Sequence, residues 1–250
     1  MSDGLIRREQ NLSRGDIKLT QLGYTSTTSL TIAAEYLEAN GKIYNIQTPI
    51  THNMTSLASA YDLHYIYIDD SASTAPAPVI IDSTTEPTYS AAKGGWYNGD
   101  DRCICALPST NGAATLIYFE SEIIGNLIQI KIPGRTEAPI MANLQAPAGG
   151  VWQTPNTNDA DALTPVNATA IFLNQYGADT GSFAYVDAVS KEWGDVNPNI
   201  FNGDLIGYSG GVAQTTHWVT LGASRKIYIA GEADDDNSML AWIAGFIIQI

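Results

Sequence analysis

The segment EYLEANGKIYNI, Glu35–Ile46, can be read as two different structures, and the choice between them sets the fold class. Ala33, Ala34, Glu35 and Leu37 support a helix over Thr31–Glu38. Asn40-Gly41 argues the other way, because both residues tolerate the positive φ of a two-residue type I′ turn and the flanking residues alternate. A hairpin is therefore expected.

Moving outward, the same period of two recurs. LHYIYIDD (63–70) sets Tyr65 and Tyr67 against Ile66 and Ile68, and TLIYFE (115–120) and NLIQIKI (126–132) read as further strands. Between them lie SASTAPAPV, STTEPTYSAAKGG and NGDD, rich in turn-forming residues. After Ile132 comes PGRTEAPIMANLQAPAGG (133–150), with three prolines, three glycines and no clear period, which reads as a linker. Strand patterns resume in ATAIFLN, SFAYVDAV, HWVTL and RKIYIAG, and end in SMLAWIAGFIIQI (238–250). In that last run Leu240, Trp242, Ala244, Phe246 and Ile248 share one face and Met239, Ala241, Ile243, Gly245 and Ile247 the other. A strand apolar on both faces belongs deep in a sandwich or at an interface between chains.

About a dozen short strands without a long amphipathic helix predict an all-β chain. The expected form is two β-sandwich or jelly-roll-like modules joined by a Pro/Gly-rich linker, behind an N-terminal arm. The divisions are an arm at 1–25, a first module at 26–132, the linker at 133–150 and a C-terminal module at 151–250.

Composition narrows the function classes. The 250 residues can bury one large core or two modest ones, and 44% are hydrophobic. Lys and Arg number 12 against 26 Asp and Glu, a net charge of −14 that repels nucleic acid. No apolar run approaches the roughly 20 residues of a membrane helix, and the start MSDGLIRREQ lacks a secretory apolar region, so cytoplasmic synthesis is expected. Arg7, Arg8, Arg14 and Lys18 stand against Asp3, Glu9 and Asp16 in the first 18 residues, a net of +1 that leaves −15 for the rest. These cations suit a docking arm, although a frayed terminus explains them equally well. Cys103 and Cys105 fall on one face of a strand and are expected as reduced core thiols, since parallel side chains two residues apart cannot bridge.

GYSGG, Gly207–Gly211, matches the G-x-S-x-G pattern of hydrolases. The strand-turn-helix setting is missing, His217 precedes the acidic cluster Asp234–Asp236, and no histidine follows. A glycine bend explains the segment better, and no catalytic residue is assigned. His52, His64 and His217 stand without partners at ligand spacing, DVNPN departs from an EF-hand at its sixth and twelfth positions, and NTNDAD and EADDDNS read as solvated turns. No metal or cofactor is expected. Among the aromatic residues, Trp218 and Trp242 lie in alternating strands and are expected in the core. Trp96, Tyr97 and Trp193 flank polar loops and are candidate glycan contacts.

One resemblance adds to these readings. EYLEANGKIYNIQTPITHNMTSLASAYDLHYIYIDDS (35–71), followed by PTYSAAKGGWYNGDDRCICAL (87–107), resembles structural modules of tailed-bacteriophage virions, found in tail fibres, fibre adaptors and capsid-decorating proteins. TPVNATAIFLNQYGADTGSFAYVDA, VTLGASRKIYIAG and MLAWIAGFII look like the β-sandwich modules that follow in such proteins. The resemblance implies a virion structural protein that is no enzyme, forms a homotrimer and contacts other virion proteins. Arg7, Arg8, Arg14 and Lys18 would dock it, and the C-terminal module would face outward. Capsid decoration and recognition of a host surface glycan are the alternatives, and a hydrolase ranks last.

Overall fold

The computed structural model describes residues 15–57, 62–110, 114–133, 140–145, 156–159, 164–178, 185–190, 212–222, 226–232 and 238–250. They form seventeen strands and no helix, so the all-β expectation holds. The chain divides into two compact units, Met1–Gln129 with Gln249–Ile250, and Ile130–Ile248.

In the first unit, β1 (Ile17–Ser26), β2 (Ser29–Ala39) and β3 (Lys42–Asn53) make an antiparallel sheet in that order. The decisive segment is the β2–β3 hairpin, with Ala39 opposite Lys42 and Ser29 opposite Asn53. Asn40 and Gly41 take φ values of 52° and 79°, the left-handed pair that a type I′ turn requires. Helix propensity over Thr31–Glu38 loses to pairing on both sides, because burying Leu30, Ile32, Ala34 and Leu37 satisfies core and ladder together.

β4 (Leu63–Ile68), β5 (Ile80–Ser83), β6 (Thr88–Ser90), β7 (Gly95–Asn98) and β8 (Asp101–Pro108) form the second sheet of this unit, ordered β5-β4-β8-β7-β6. Its central strands are buried on both faces, through Tyr65, Ile66, Tyr67 and Ile68 in β4 and Cys103 through Leu107 in β8. Tyr67 keeps its phenol satisfied by donating to the Thr85 carbonyl at 2.5 Å. Cys103 and Cys105 are buried free thiols, as expected. β9 (Glu120–Ile124) contacts β1, the Ser121 hydroxyl donating to the Leu22 carbonyl, and a turn at Gly125-Asn126 leads into β10 (Leu127–Lys131).

The second unit contains β11 (Ile140–Gln145), β12 (Asn156–Asp159), β13 (Ala168–Ala178), β14 (Tyr185–Ser190), β15 (Val212–Thr220), β16 (Lys226–Glu232) and β17 (Ser238–Gln249). β15, β13 and β17 lie side by side, with β15 at the edge. Along the other side of β17 runs β11, Gln145 opposite Ser238 and Ile140 opposite Trp242, and farther on the Ile132 N–H donates to the Ala244 carbonyl at 2.7 Å. β12, β16 and β14 form a separate three-stranded sheet.

Several expectations change. Residues 17–25, assigned to the arm on charge, form most of β1, because Ile17 and Leu19 face inward on either side of Lys18 and Leu22 joins them after an irregularity in the ladder. Residues 140–145, inside the supposed linker, form β11, since β17 offers a free ladder that outweighs the flanking prolines. TLIYFE contributes a bridge from Leu116 to Ser109, and β9 begins only at its last residue, Glu120. Asn156–Asp159, read as a turn, is the strand β12 paired with β16. The doubly apolar β17 is explained within the chain: it is a central strand, and Trp242, Ile243, Ala244, Phe246 and Ile248 are buried.

Candidate functional site

The first unit holds its sheets together through three polar hubs. Asp82 on β5 is the largest. Its side chain has no exposed surface, and its carboxylate accepts from His52 Nε2 at 2.8 Å, the Thr55 N–H at 2.9 Å, the Thr55 hydroxyl at 3.0 Å and the Ser56 N–H at 2.6 Å. Burial alone pushes the carboxyl up. The hydrogen bonds of His52, Ser56 and Thr55 outweigh it and hold Asp82 well below the usual carboxylate range. Because Asp82 remains ionised, His52 Nε2 carries the shared proton. Next to this hub, Ser56 Oγ lies 2.8 Å from Nδ1 of the fully buried His64, whose Nε2 has no hydrogen-bond partner. Burial lowers the His64 pKa against the opposing pull of Asp62 and Asp82, so the imidazole is neutral.

A serine, two histidines and an aspartate thus converge, yet the connections are those of a latch. The four donors to Asp82 come from His52, Thr55 and Ser56, and Ser56 meets the other histidine, so no Ser–His–acid chain is assembled. Asp82 and His64 also present no surface to a substrate. The sequence signal was faint, because His52 and Asp82 are thirty residues apart.

Glu38 is the second hub. It is buried and accepts from the N–H groups of Gly15 and Gly41, both at 2.5 Å, closing the hairpin turn onto the start of β1. Arg102 is the third and is fully buried. Its Nη1 and Nη2 donate to the carbonyls of Gly94 and Gly15 at 3.2 Å each, and its guanidinium carbon lies 5.1 Å from the centre of the Tyr97 ring. A Cβ on Gly95 would enter the guanidinium, so a larger residue there must displace Arg102. A shallow depression of about 230 Å³ beside the second hub is lined by Glu38, Asn40, Gly41 and Lys93, and another of about 460 Å³, apart from the hubs, lies between Asn45, Gln47 and Ile50 of β3 and Pro76–Pro78.

The sequence candidates are dispersed. Arg7, Arg8, Arg14 and Trp193 lie outside the described residues, as does GYSGG with Ser209. Lys18 sits on β1 and pairs with Glu35 of β2 at 2.5 Å. Trp96 is half-buried, edge-on to Tyr89 with ring centres 5.5 Å apart, and Tyr89 is the exposed member of that pair. Tyr97 differs from the exposure suggested by its polar neighbours: it is only 4% exposed and packs under Lys93 and Arg102. Trp218 is corrected in the opposite sense. Expected in the core, it is 39% exposed, and Phe172 stacks beside it at 4.8 Å. Both neighbours in the pair Trp218-Val219 are apolar, so alternation alone left the buried face undecided. Among the described residues no cluster of His, Cys, Asp and Glu could hold a metal ion.

No protein-family model matches the chain, and no curated protein sequence does either. One solved structure that aligns with it is the crystal structure of a Bacillus thuringiensis Cry1Da tryptic core variant, at 11% identity and a TM-score of 0.21, covering 92% of this chain and 51% of that one. The chain spans about half the length of that protein. Similarity at this level assigns neither a fold family nor a function.

Proposed function

We propose that the chain is a structural component of a tailed-bacteriophage virion, forming or anchoring an external appendage as a homotrimer. The observation that carries the reading is how the segments with virion-module resemblance are built. Residues 35–71 and 87–107 supply the hairpin, the tyrosine-rich strand and the returning strand of the first unit, and its buried charged groups Glu38, Asp82 and Arg102 each hold backbone in place. A unit that commits its buried ionisable groups to fixing loops is suited to a mechanical role. In this reading the basic residues Arg7, Arg8, Arg14 and Lys18 meet other virion proteins.

Antibodies raised against the recombinant chain test the reading on purified particles. Gold label on the tail or its fibres is expected, and label over the capsid shell would favour decoration instead. Particles that carry no label and no peptides of the chain by mass spectrometry would refute a virion role. Light scattering of the purified protein is expected to give three times the 26.8 kDa chain mass.

A further inference from the structure

We infer that the open face of β13 and β15 is a platform for a neutral glycan, with Trp218 and Phe172 as its stacking floor. Opposed residues in an antiparallel pair point to the same face. The register sets Ala170 opposite Thr220, Phe172 opposite Trp218 and Asn174 opposite Thr216, so these six side chains share one face. Burial divides the strands the same way. Ile171, Leu173 and Val219 are enclosed on one face, whereas Thr216, Trp218 and Thr220 are exposed on the other and Ala170, Phe172 and Asn174 are half-buried. β15 is the sheet edge, so the platform is open on that side. Beyond Phe172 the next residue across is Gly245 of β17, whose missing side chain leaves room only for the Ile130 carbonyl and the Lys131 backbone, so the platform is bounded there and open toward β15.

This arrangement matches the two-sided chemistry of a sugar ring. The indole of Trp218 and the tilted ring of Phe172, 34° apart, give an apolar floor for the C–H face of a pyranose. Thr216 at one end and Thr220 at the other supply hydroxyl groups for the equatorial hydroxyls. Thr216 and Thr220 are about 13 Å apart at the strand rise, enough for a short run of rings. Charge selects the class of glycan. None of the six side chains ionises, and the chain carries −14, so an anionic glycan is repelled and a cationic peptide finds no carboxylate on the platform. The match is an uncharged oligosaccharide.

The inference goes beyond the virion reading and is tested on the isolated full chain, so its failure leaves the particle-labelling result untouched. The probe is an array of neutral and sialylated oligosaccharides, followed by calorimetry with the best neutral ligand. Wild type is expected to bind neutral glycans. Trp218→Ala should weaken binding at least about tenfold, and Phe172→Ala several-fold, with melting temperatures close to wild type, while Tyr118→Ser in the first unit should bind normally. If Trp218→Ala destabilises the fold, Thr216→Val keeps the test sharp, since it removes a hydroxyl but no floor and should still weaken binding. Absence of any glycan binding overturns the proposal, as does binding that survives Trp218→Ala or prefers sialylated ligands. A fall in oligomeric mass on Trp218→Ala also overturns it, because a second copy would then be the occupant.

Discussion

Replacing Asp82 with Asn tests whether the Asp82 hub holds the first unit together. The substitution keeps the volume but removes the charge, and it turns an amide NH2 toward donors that now find an oxygen: His52 Nε2 at 2.8 Å, Thr55 N–H at 2.9 Å and Ser56 N–H at 2.6 Å. Hydrogen bonds to a charged acceptor contribute about 1.5–3 kcal/mol each, so weakening several at once costs about 3–5 kcal/mol. Thr55 is exposed and can turn to water, which places the expectation near the lower end. A loss of about 3 kcal/mol at neutral pH corresponds to roughly 10 °C in Tm for a chain of this size. The pH dependence identifies the cause. Because the folded-state pKa of Asp82 is depressed, its stabilisation is present above the unfolded carboxyl value of 3.8 and is lost as the pH falls through the folded value. Urea melts should therefore show a wild-type advantage that is flat above about pH 5 and shrinks below it. A gap under about 1 kcal/mol at neutral pH, or one that persists unchanged in strong acid, would refute the assignment.

The remaining tests address other parts of the first unit. Since burial lowers the His64 pKa, its stabilisation is complete above the ordinary value of 6.5 and declines as the pH falls through it. His64→Gln should flatten the urea midpoint between about pH 7.5 and 5.5, and an unchanged slope would exclude His64 as the cause. Burial pushes the Cys103 thiol up to about 12, against the weaker opposing pull of the Arg102 charge and a Cys105 backbone hydrogen bond, and pushes Cys105 well above its ordinary value. Ellman's reagent should therefore find no reactive thiol in the native protein and two in urea, and rapid native labelling would contradict the burial. Gly95→Ala should cost about 2–3 kcal/mol in chemical denaturation because it displaces the enclosed Arg102 guanidinium, and a neutral result would show that the arginine can move aside. Gly41→Ala, at φ 79°, should cost about 1 kcal/mol, unless the turn relaxes to another type.

Local rules explain what could be read from the sequence. Asn40-Gly41 specified the hairpin because a type I′ turn depends on two adjacent residues, and Cys103 and Cys105 were placed correctly because strand alternation needs only neighbours. The Asp82 and Arg102 hubs were not legible. Arg102 meets the Gly15 carbonyl across eighty-seven residues, and an acceptor of that kind leaves no mark on residue type. β11 was missed because the composition of residues 133–150 signals irregularity, while its strand state comes from the ladder offered by β17. Of the glycan candidates, Trp96 and Tyr97 were chosen by their polar neighbours, yet exposure depends on which face a sheet covers. Tyr97 turned inward and Trp218 outward for that reason.

The position of β17 has a consequence for how the protein is made. This strand follows β11 and β13 in the chain but lies between them in the sheet, pairing Tyr176 with Leu240 on one side and Gln145 with Ser238 on the other. During synthesis, β13 and β11 each wait with an unfilled edge until β17 leaves the ribosome, whereas the β1–β8 sheets need nothing so late. The nascent second unit is thus a pair of half-ladders, prone to capture by other strands. A ribosome stalled near residue 237 should carry a first unit that already resists protease and a second that is digested or held by chaperones.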